Sequence, residues 1–299
     1  MSRTVIEAEN RGLISRHDLA AGGPRVVIRL VHTLVLVGVV IAGAGPLVWL
    51  GFASLNSTQD ILRDPFAVWF HAGEWSNYVA AFGTVNIGKY LMNTAFVAIG
   101  SAIANLLVAT SAAYVISIIR PRWAAPLSAA ILATLFLPGI VSLVPLYLTV
   151  LDLPPFGINL QNTYWAVWLP AAANAFSILI MTGFFRSIPR ELIEAARIDG
   201  AGNLRMLWSI VMPLSRPILG VVALLAIIAA WKDYLWPSLV LADSSVQPIS
   251  VALPLVGKIT DLSVFLAALF LATIVPIVLF MVFSRQILTS VGATSGLKD

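Results

Sequence analysis

The chain has no cysteine, so disulfides, thiolate metal sites and cysteine nucleophiles are excluded. It has only three histidines, His17, His32 and His71, too scattered to offer ligand spacing. Charge is scarce too. Only 11% of residues are Asp, Glu, Lys or Arg, against about 25% in soluble proteins. With 59% hydrophobic residues and a mean hydropathy of +0.93, the chain cannot cover a soluble surface. It is therefore expected in a lipid bilayer. A net charge of +4 is also found in nucleic-acid binders, but here the basic residues sit in short loops between apolar runs, so no nucleic-acid partner is expected.

A membrane-crossing helix needs about 20 mostly apolar residues. Six such runs are present, at roughly 27–54, 90–118, 125–149, 164–185, 217–239 and 264–288. The expected fold is an all-α membrane protein of six transmembrane helices. Residues 1–25 form a polar extension, too long for the n-region of a signal peptide, so the first span is read as uncleaved. Residues 26–299 form one membrane domain. Pro138 and Pro145 interrupt the third run, as a kinked pathway helix or a packing kink would.

Orientation follows the basic residues. One side collects Arg3, Arg11, Arg16, Arg25, Arg29, Arg120, Arg122, Arg186, Arg190, Arg197, Arg205, Arg216, Arg285 and Lys298. The other has Arg63, Lys89 and Lys258. Both termini and the polar loop 187–217 are thus expected in the cytoplasm.

That loop interrupts the apolar pattern with an Arg-rich segment, ELIEAARIDGAGNLRMLWSIVMPLSRP. Ser187 is positioned to cap a helix starting near Pro189, with Glu191 and Glu194 near the positive end of its dipole. Leu192, Ala195 and Ala196 make a small apolar face. Gly200 then breaks the helix, and Asn203 is placed to cap a second one. There Leu204, Leu207, Trp208 and Val211 recur at i, i+3, i+4 and i+7, an amphipathic period. Pro213 and Pro217 end it. From spacing alone, this is either a docking plug or an ordinary amphipathic loop on the membrane surface.

The same segment resembles the EAA loop of permease subunits of ATP-driven (ABC) importers. The family pattern is EAA, three residues, Gly, nine residues, Ile, one residue, Leu-Pro. It falls on Glu194-Ala195-Ala196, Gly200, Ile210 and Met212-Pro213, with Met212 the single departure. The resemblance extends over most of the chain and looks like the smaller permease subunit of maltose-type sugar importers. Ser76–Tyr78, Asn93-Thr94, Trp231–Pro237, Arg285-Gln286 and the ending Thr294-Ser295-Gly296 with Lys298 belong to that pattern.

The resemblance implies a type I importer permease fold with a coupling helix and a bacterial inner-membrane location. It implies a second permease subunit, two ATPase subunits beneath, an external solute-binding protein and a sugar substrate. ATP and magnesium would be held by the ATPase subunits, with no cofactor or metal on this chain, which is not itself an enzyme. Glu194 would contact the ATPase and Gly200 would permit the bend. Ala195, Ala196, Asp199, Leu204, Trp208 and Pro213 complete the coupling set, with Arg197 a further candidate.

The substrate pathway is less sharply marked. Lys232 and Asp233 lie about 22 Å along a helix from Pro217 at 1.5 Å per residue, in the outer part of the membrane. Relatives of this type usually carry Asn at Lys232. Charges inside a span face a cavity or a partner, or snorkel to the interface. Trp231, Lys232, Asp233, Tyr234, Asn93, Tyr147 and Asn174 are the pathway candidates, since aromatic faces stack on sugars and polar groups bond hydroxyls. Asn105, Tyr114 and Ser177 are read mainly as interhelical partners. Outer loops 56–89 and 240–263 are candidate contacts for the binding protein, or interfacial packing.

Two motifs are coincidences. Gly83–Tyr90, GTVNIGKY, approaches a P-loop but ends in Tyr90 where Ser or Thr should hold magnesium, and no strand precedes it. Asn56-Ser57-Thr58 matches a glycosylation acceptor, idle in a bacterium. Alternative functions are import of another solute, such as a glycerol phosphate ester or a peptide, and a stand-alone secondary transporter. The latter would show inverted repeats and leave the plug unexplained. An intramembrane enzyme finds no catalytic constellation.

Overall fold

The computed structural model describes residues 22–69 and 73–295, so the N-terminal extension, His71 and the Gly296–Lys298 ending lie outside the described residues. The chain forms two compact units, residues 1–74 and 75–299.

In the first unit, α1 (Gly22–Ala53) carries the apolar run and α2 (Thr58–Arg63) follows it. Ser57 caps α2, its hydroxyl oxygen accepting the Asp60 N–H. Asn56 is fully buried and donates to the carbonyls of Phe52 and Val68, which makes it a turn anchor.

Among the described residues the regular structure of the second unit is helical, with loops between the helices and an isolated bridge, Leu153 to Ile158. In order it contains α3 (Ser76–Gly83), α4 (Ile87–Ile119), α5 (Ala124–Thr134), α6 (Gly139–Leu151), α7 (Trp165–Ala172) and α8 (Ala175–Arg186). Then follow α9 (Arg190–Ile198), α10 (Asn203–Leu214), α11 (Arg216–Lys232), α12 (Leu235–Val240), α13 (Ile249–Ile259) and α14 (Leu262–Ser295). The P-loop-like stretch is the end of α3, a left-handed Asn86 and the start of α4.

Three helices are long and apolar enough to cross a membrane unaided, and up to six spans result if each bent pair counts as one. The breaks refine the sequence reading. The third span bends by 101° between α5 and α6, and the fourth by 45° between α7 and α8. The fifth differs most. Its continuous helix ends at Lys232 instead of running to 239, and α10 meets it at 83°.

Proline explains the interruption. Pro237 has no N–H, and its ring excludes the carbonyl four residues earlier, that of Asp233. Asp233 turns extended, at φ −70° and ψ 122°, and its freed carbonyl accepts the Ser250 hydroxyl at 2.7 Å. The same device occurs twice more. Pro170 frees the Ala166 carbonyl, taken by the Trp236 indole N–H at 3.0 Å. Pro276 frees the Ala272 carbonyl, taken by the Trp231 indole at 3.2 Å. In a bilayer no water replaces such bonds, so a neighbouring helix must.

Helix α4 is the axis of the unit, packed against α7, α8, α11 and α13. Its Ala98, Ala102, Ala109 and Ala113 are buried along one seam. Small residues let backbones approach, which stabilises packing where lipid removes the hydrophobic drive. The closest approach is at Gly100, where an added Cβ would lie 2.1 Å from the Trp168 ring.

Candidate functional site

The plug spans α9 and α10. Its first helix starts at Arg190 after Pro189, which supplies no side-chain cap, while Ser187 closes α8 by bonding the Phe184 carbonyl. The expected Ser187 cap is therefore not formed; Pro189, extended at ψ 131°, holds Ser187 back from the first turn. Nor does Asn203 cap α10, since Gly202 holds that position.

Gly200 bends the chain as its residue type requires. It has φ +75°, the left-handed region that costs other residues about 1–2 kcal/mol, and an added Cβ there would meet open space. The Ala201 N–H closes the turn on the Ala196 carbonyl at 2.9 Å. Asp199 is the C-cap of α9.

The two faces of the plug are sorted differently from the expectation. On α9, Ile193 and Ala196 are buried, while Leu192, Glu194 and Ala195 are exposed. On α10, Met206, Leu207 and Val211 are buried, but Leu204 is 74% and Trp208 55% exposed. The four apolar residues read as one stripe thus divide. A π turn runs over Leu207–Val211, with Leu204 and Trp208 together on the exposed side and Leu207 and Val211 together on the buried side. The buried set joins Ala109, Ala113, Tyr114 and Ile116 of α4, Met181 and Phe185 of α8, and Val222 of α11 in one core. Burying each larger apolar side chain contributes about 1.5–3 kcal/mol, which fixes the plug rigidly to the ends of three spans. Leu192, Ile198, Leu204 and Trp208 are left outside with Glu194, and Pro213 is exposed at the corner before Ser215.

A second feature is an open cavity of about 910 Å³ in the side of the span bundle. It forms where two helices break. Asn174 caps α8, its side-chain oxygen accepting the Ser177 N–H at 3.0 Å, and Asn174, Phe176 and Ser177 line the cavity. Opposite them stand Lys232, Asp233, Tyr234 and Trp236 from the α11–α12 break. The Asp233 carboxylate lies near the backbone N–H groups of Trp236 and Leu235 at the break and lines the cavity. Ser101 and Asn105, one turn apart on α4, also line it. Sequence reading passed over Ser101; its spacing from Asn105 was the available signal.

The other pathway candidates stand elsewhere. Asn93 donates to the Ser245 and Gln247 carbonyls at 2.9 and 3.0 Å and accepts the Tyr164 hydroxyl at 2.9 Å. Its neighbour Thr94 accepts the Ile249 N–H at 2.8 Å, so the pair clamps the loop between α12 and α13. Tyr147 accepts a long bond from Gln161 and packs against Val97, Val150 and Ala166. Trp231 is buried as the α11–α14 cross-link. In the loop between α12 and α13, Asp243 is held below the usual carboxylate range, first by the Ser245 backbone N–H and then by the Ser245 hydroxyl.

Residues 105–291 match the family of binding-protein-dependent transport system inner membrane components. The chain belongs to this family. It is a multi-pass membrane permease component of an ABC importer, which is a transport component and not itself an enzyme. The chain is 31% identical over 281 residues to the diacetylchitobiose uptake system permease protein NgcG of Streptomyces coelicolor, covering 91% of this chain and 90% of that one. It is 31% identical over 272 residues to the sn-glycerol-3-phosphate transport system permease protein UgpE of Agrobacterium fabrum, covering 87% and 95%. A solved bacterial ABC transporter involved in the import of the acidic polysaccharide alginate contains a chain of the same fold. The TM-score is 0.77 at 23% identity, with 92% of this permease and 99% of that chain covered.

Proposed function

We propose that this permease imports a carbohydrate, forming the translocation cavity with a second permease subunit and drawing its energy from two separate ATPase subunits. The observation that carries the substrate class is the cavity at the two helix breaks. It sets the rings of Tyr234 and Trp236 beside Asn174, Lys232 and Asp233. Rings present apolar faces to sugar C–H groups, and the polar groups exchange hydrogen bonds with hydroxyls. One cation and one anion cancel, which suits a neutral polyhydroxyl solute. Lys232 alone favours a phosphate ester, the solute type in the name of the second relative. The adjacent Asp233 carboxylate opposes it.

Coupling follows from the plug. With both termini and the plug in the cytoplasm, Glu194, Leu204 and Trp208 face the ATPase, and Ala195, Asp199, Gly200 and Pro213 shape that face. Ala196 packs behind it. Closure of the ATPase pair on ATP and magnesium pushes the plug, and the shared core passes the movement to α4, α8 and α11. An external binding protein delivers the solute to the outer side.

The test is ATP-driven uptake by the assembled transporter in proteoliposomes. An N-acetylated disaccharide and glycerol 3-phosphate compete against the solute carried by the system's binding protein. Competition by the sugar supports the reading. Competition by glycerol 3-phosphate alone replaces the substrate class, and uptake without ATP removes the importer mechanism.

A further inference from the structure

Beside the plug, open on the surface that carries Glu194, lies a second pocket, of about 210 Å³, lined by Ser117, Arg120, Arg186, Arg190, Glu194 and Arg197 with the apolar ends of α4 and α8. Four guanidinium groups and one carboxylate give it a net charge of +3. Among the described residues none of these arginines is in a salt bridge. The pocket also receives the N-terminus of α9, whose first turn has no side-chain cap, so backbone N–H groups add to its positive character. Arg120 is held in place from both sides. Its backbone is left-handed at φ +52°, unusual for a non-glycine residue, and its Nε donates to the Ser117 carbonyl.

We propose that this pocket binds a phosphate group, carried by an anionic phospholipid headgroup or free in the cytoplasm, and so secures α9 against the span ends. The proposal rests on the cytoplasmic placement of the plug given above. The apolar lining favours the lipid as the source. The floor is Ile118, Ile119, Phe185 and Ile188, where α4 and α8 leave the bilayer, and basic pockets between helices on that side suit anionic headgroups. Arginine suits the ligand because its planar fork pairs two N–H groups with two phosphate oxygens. Glu194 lines the same pocket, so a bound phosphate repels its carboxylate outward, toward the face that meets the ATPase.

The test is native mass spectrometry of the complete transporter, released from nanodiscs of phosphatidylcholine with and without phosphatidylglycerol. Inorganic phosphate is titrated separately in detergent. Wild-type protein should retain phosphatidylglycerol over phosphatidylcholine. Arg186→Gln with Arg190→Gln should retain about 30-fold less, since each charge at an anionic surface contributes a factor of about five. Arg122→Gln, outside the pocket lining, should retain it unchanged. Phosphate adducts lost in the double variant, with no lipid preference, assign free phosphate as the source. Equal retention by wild type and double variant, with no phosphate adduct, overturns the proposal. Ligand retention is read independently of transport, so a complex that imports a different solute still tests the pocket.

Discussion

At the scale of single residues, polar groups here serve mainly as structural partners for stranded backbone groups. Asn93 uses both amide hydrogens and its oxygen on the clamp at the α12–α13 loop. Asn93→Ala should lower thermal stability by about 1–3 kcal/mol, the cost of leaving buried carbonyls without donors. It should also speed proteolysis of the 241–248 loop; unchanged protection would show that the clamp carries no strain. Gly100→Ala should destabilise by about 1–3 kcal/mol because Trp168 must move off α4. These roles explain why the sequence alone does not single out cavity-lining residues. Intramembrane polarity was legible in the sequence, but a satisfied amide and a solute-binding amide are the same residue type. Only three-dimensional partners separate Asn93 and Trp231, which cross-link elements, from Asn174, Lys232, Asp233 and Tyr234, which share a cavity.

At the scale of elements, apolar runs made the spans and the plug legible, while the breaks depended on which freed carbonyl found a donor. Pro237 was visible in the sequence; Ser250 waiting for the Asp233 carbonyl was not. The three proline–donor pairs lead to a specific expectation. Trp231→Phe strands the Ala272 carbonyl and should cost about 1–3 kcal/mol. Pro276→Ala restores an N–H to that carbonyl, so the double variant should recover most of the loss in a thermal melt. Strict additivity of the two changes would refute the pairing. The plug shows a similar division. Its helices and the Gly200 bend followed from residue type, but an apolar stripe does not say which of its members meets the core, and here Leu207 and Val211 are buried while Leu204 and Trp208 are exposed. Gly200→Ala places alanine at φ +75° and costs about 1–2 kcal/mol. The expected result is weakened ATP-driven uptake with the complex still assembled, measured by transport and size-exclusion chromatography on one preparation.

At the scale of the molecule, the plug and the cavity are joined through α4, α8 and α11. The plug's buried residues belong to the same core as Met181, Phe185 and Val222, and α8 begins at the Asn174 cap on the cavity wall. The proposed coupling thus has a continuous packed route, along α8, from the plug to the cavity wall. Glu194→Gln should reduce the coupling ratio, solute moved per ATP hydrolysed, more than it reduces hydrolysis. The measurement that bears most directly on this account is purification of the tagged chain from its native host in mild detergent. Every co-purifying polypeptide would be identified, and ATP hydrolysis measured. Stoichiometric recovery of an ATPase and a second multi-span permease, with hydrolysis stimulated by the system's binding protein, is the predicted result. Recovery of this chain alone, moving solute in liposomes without ATP, would contradict it.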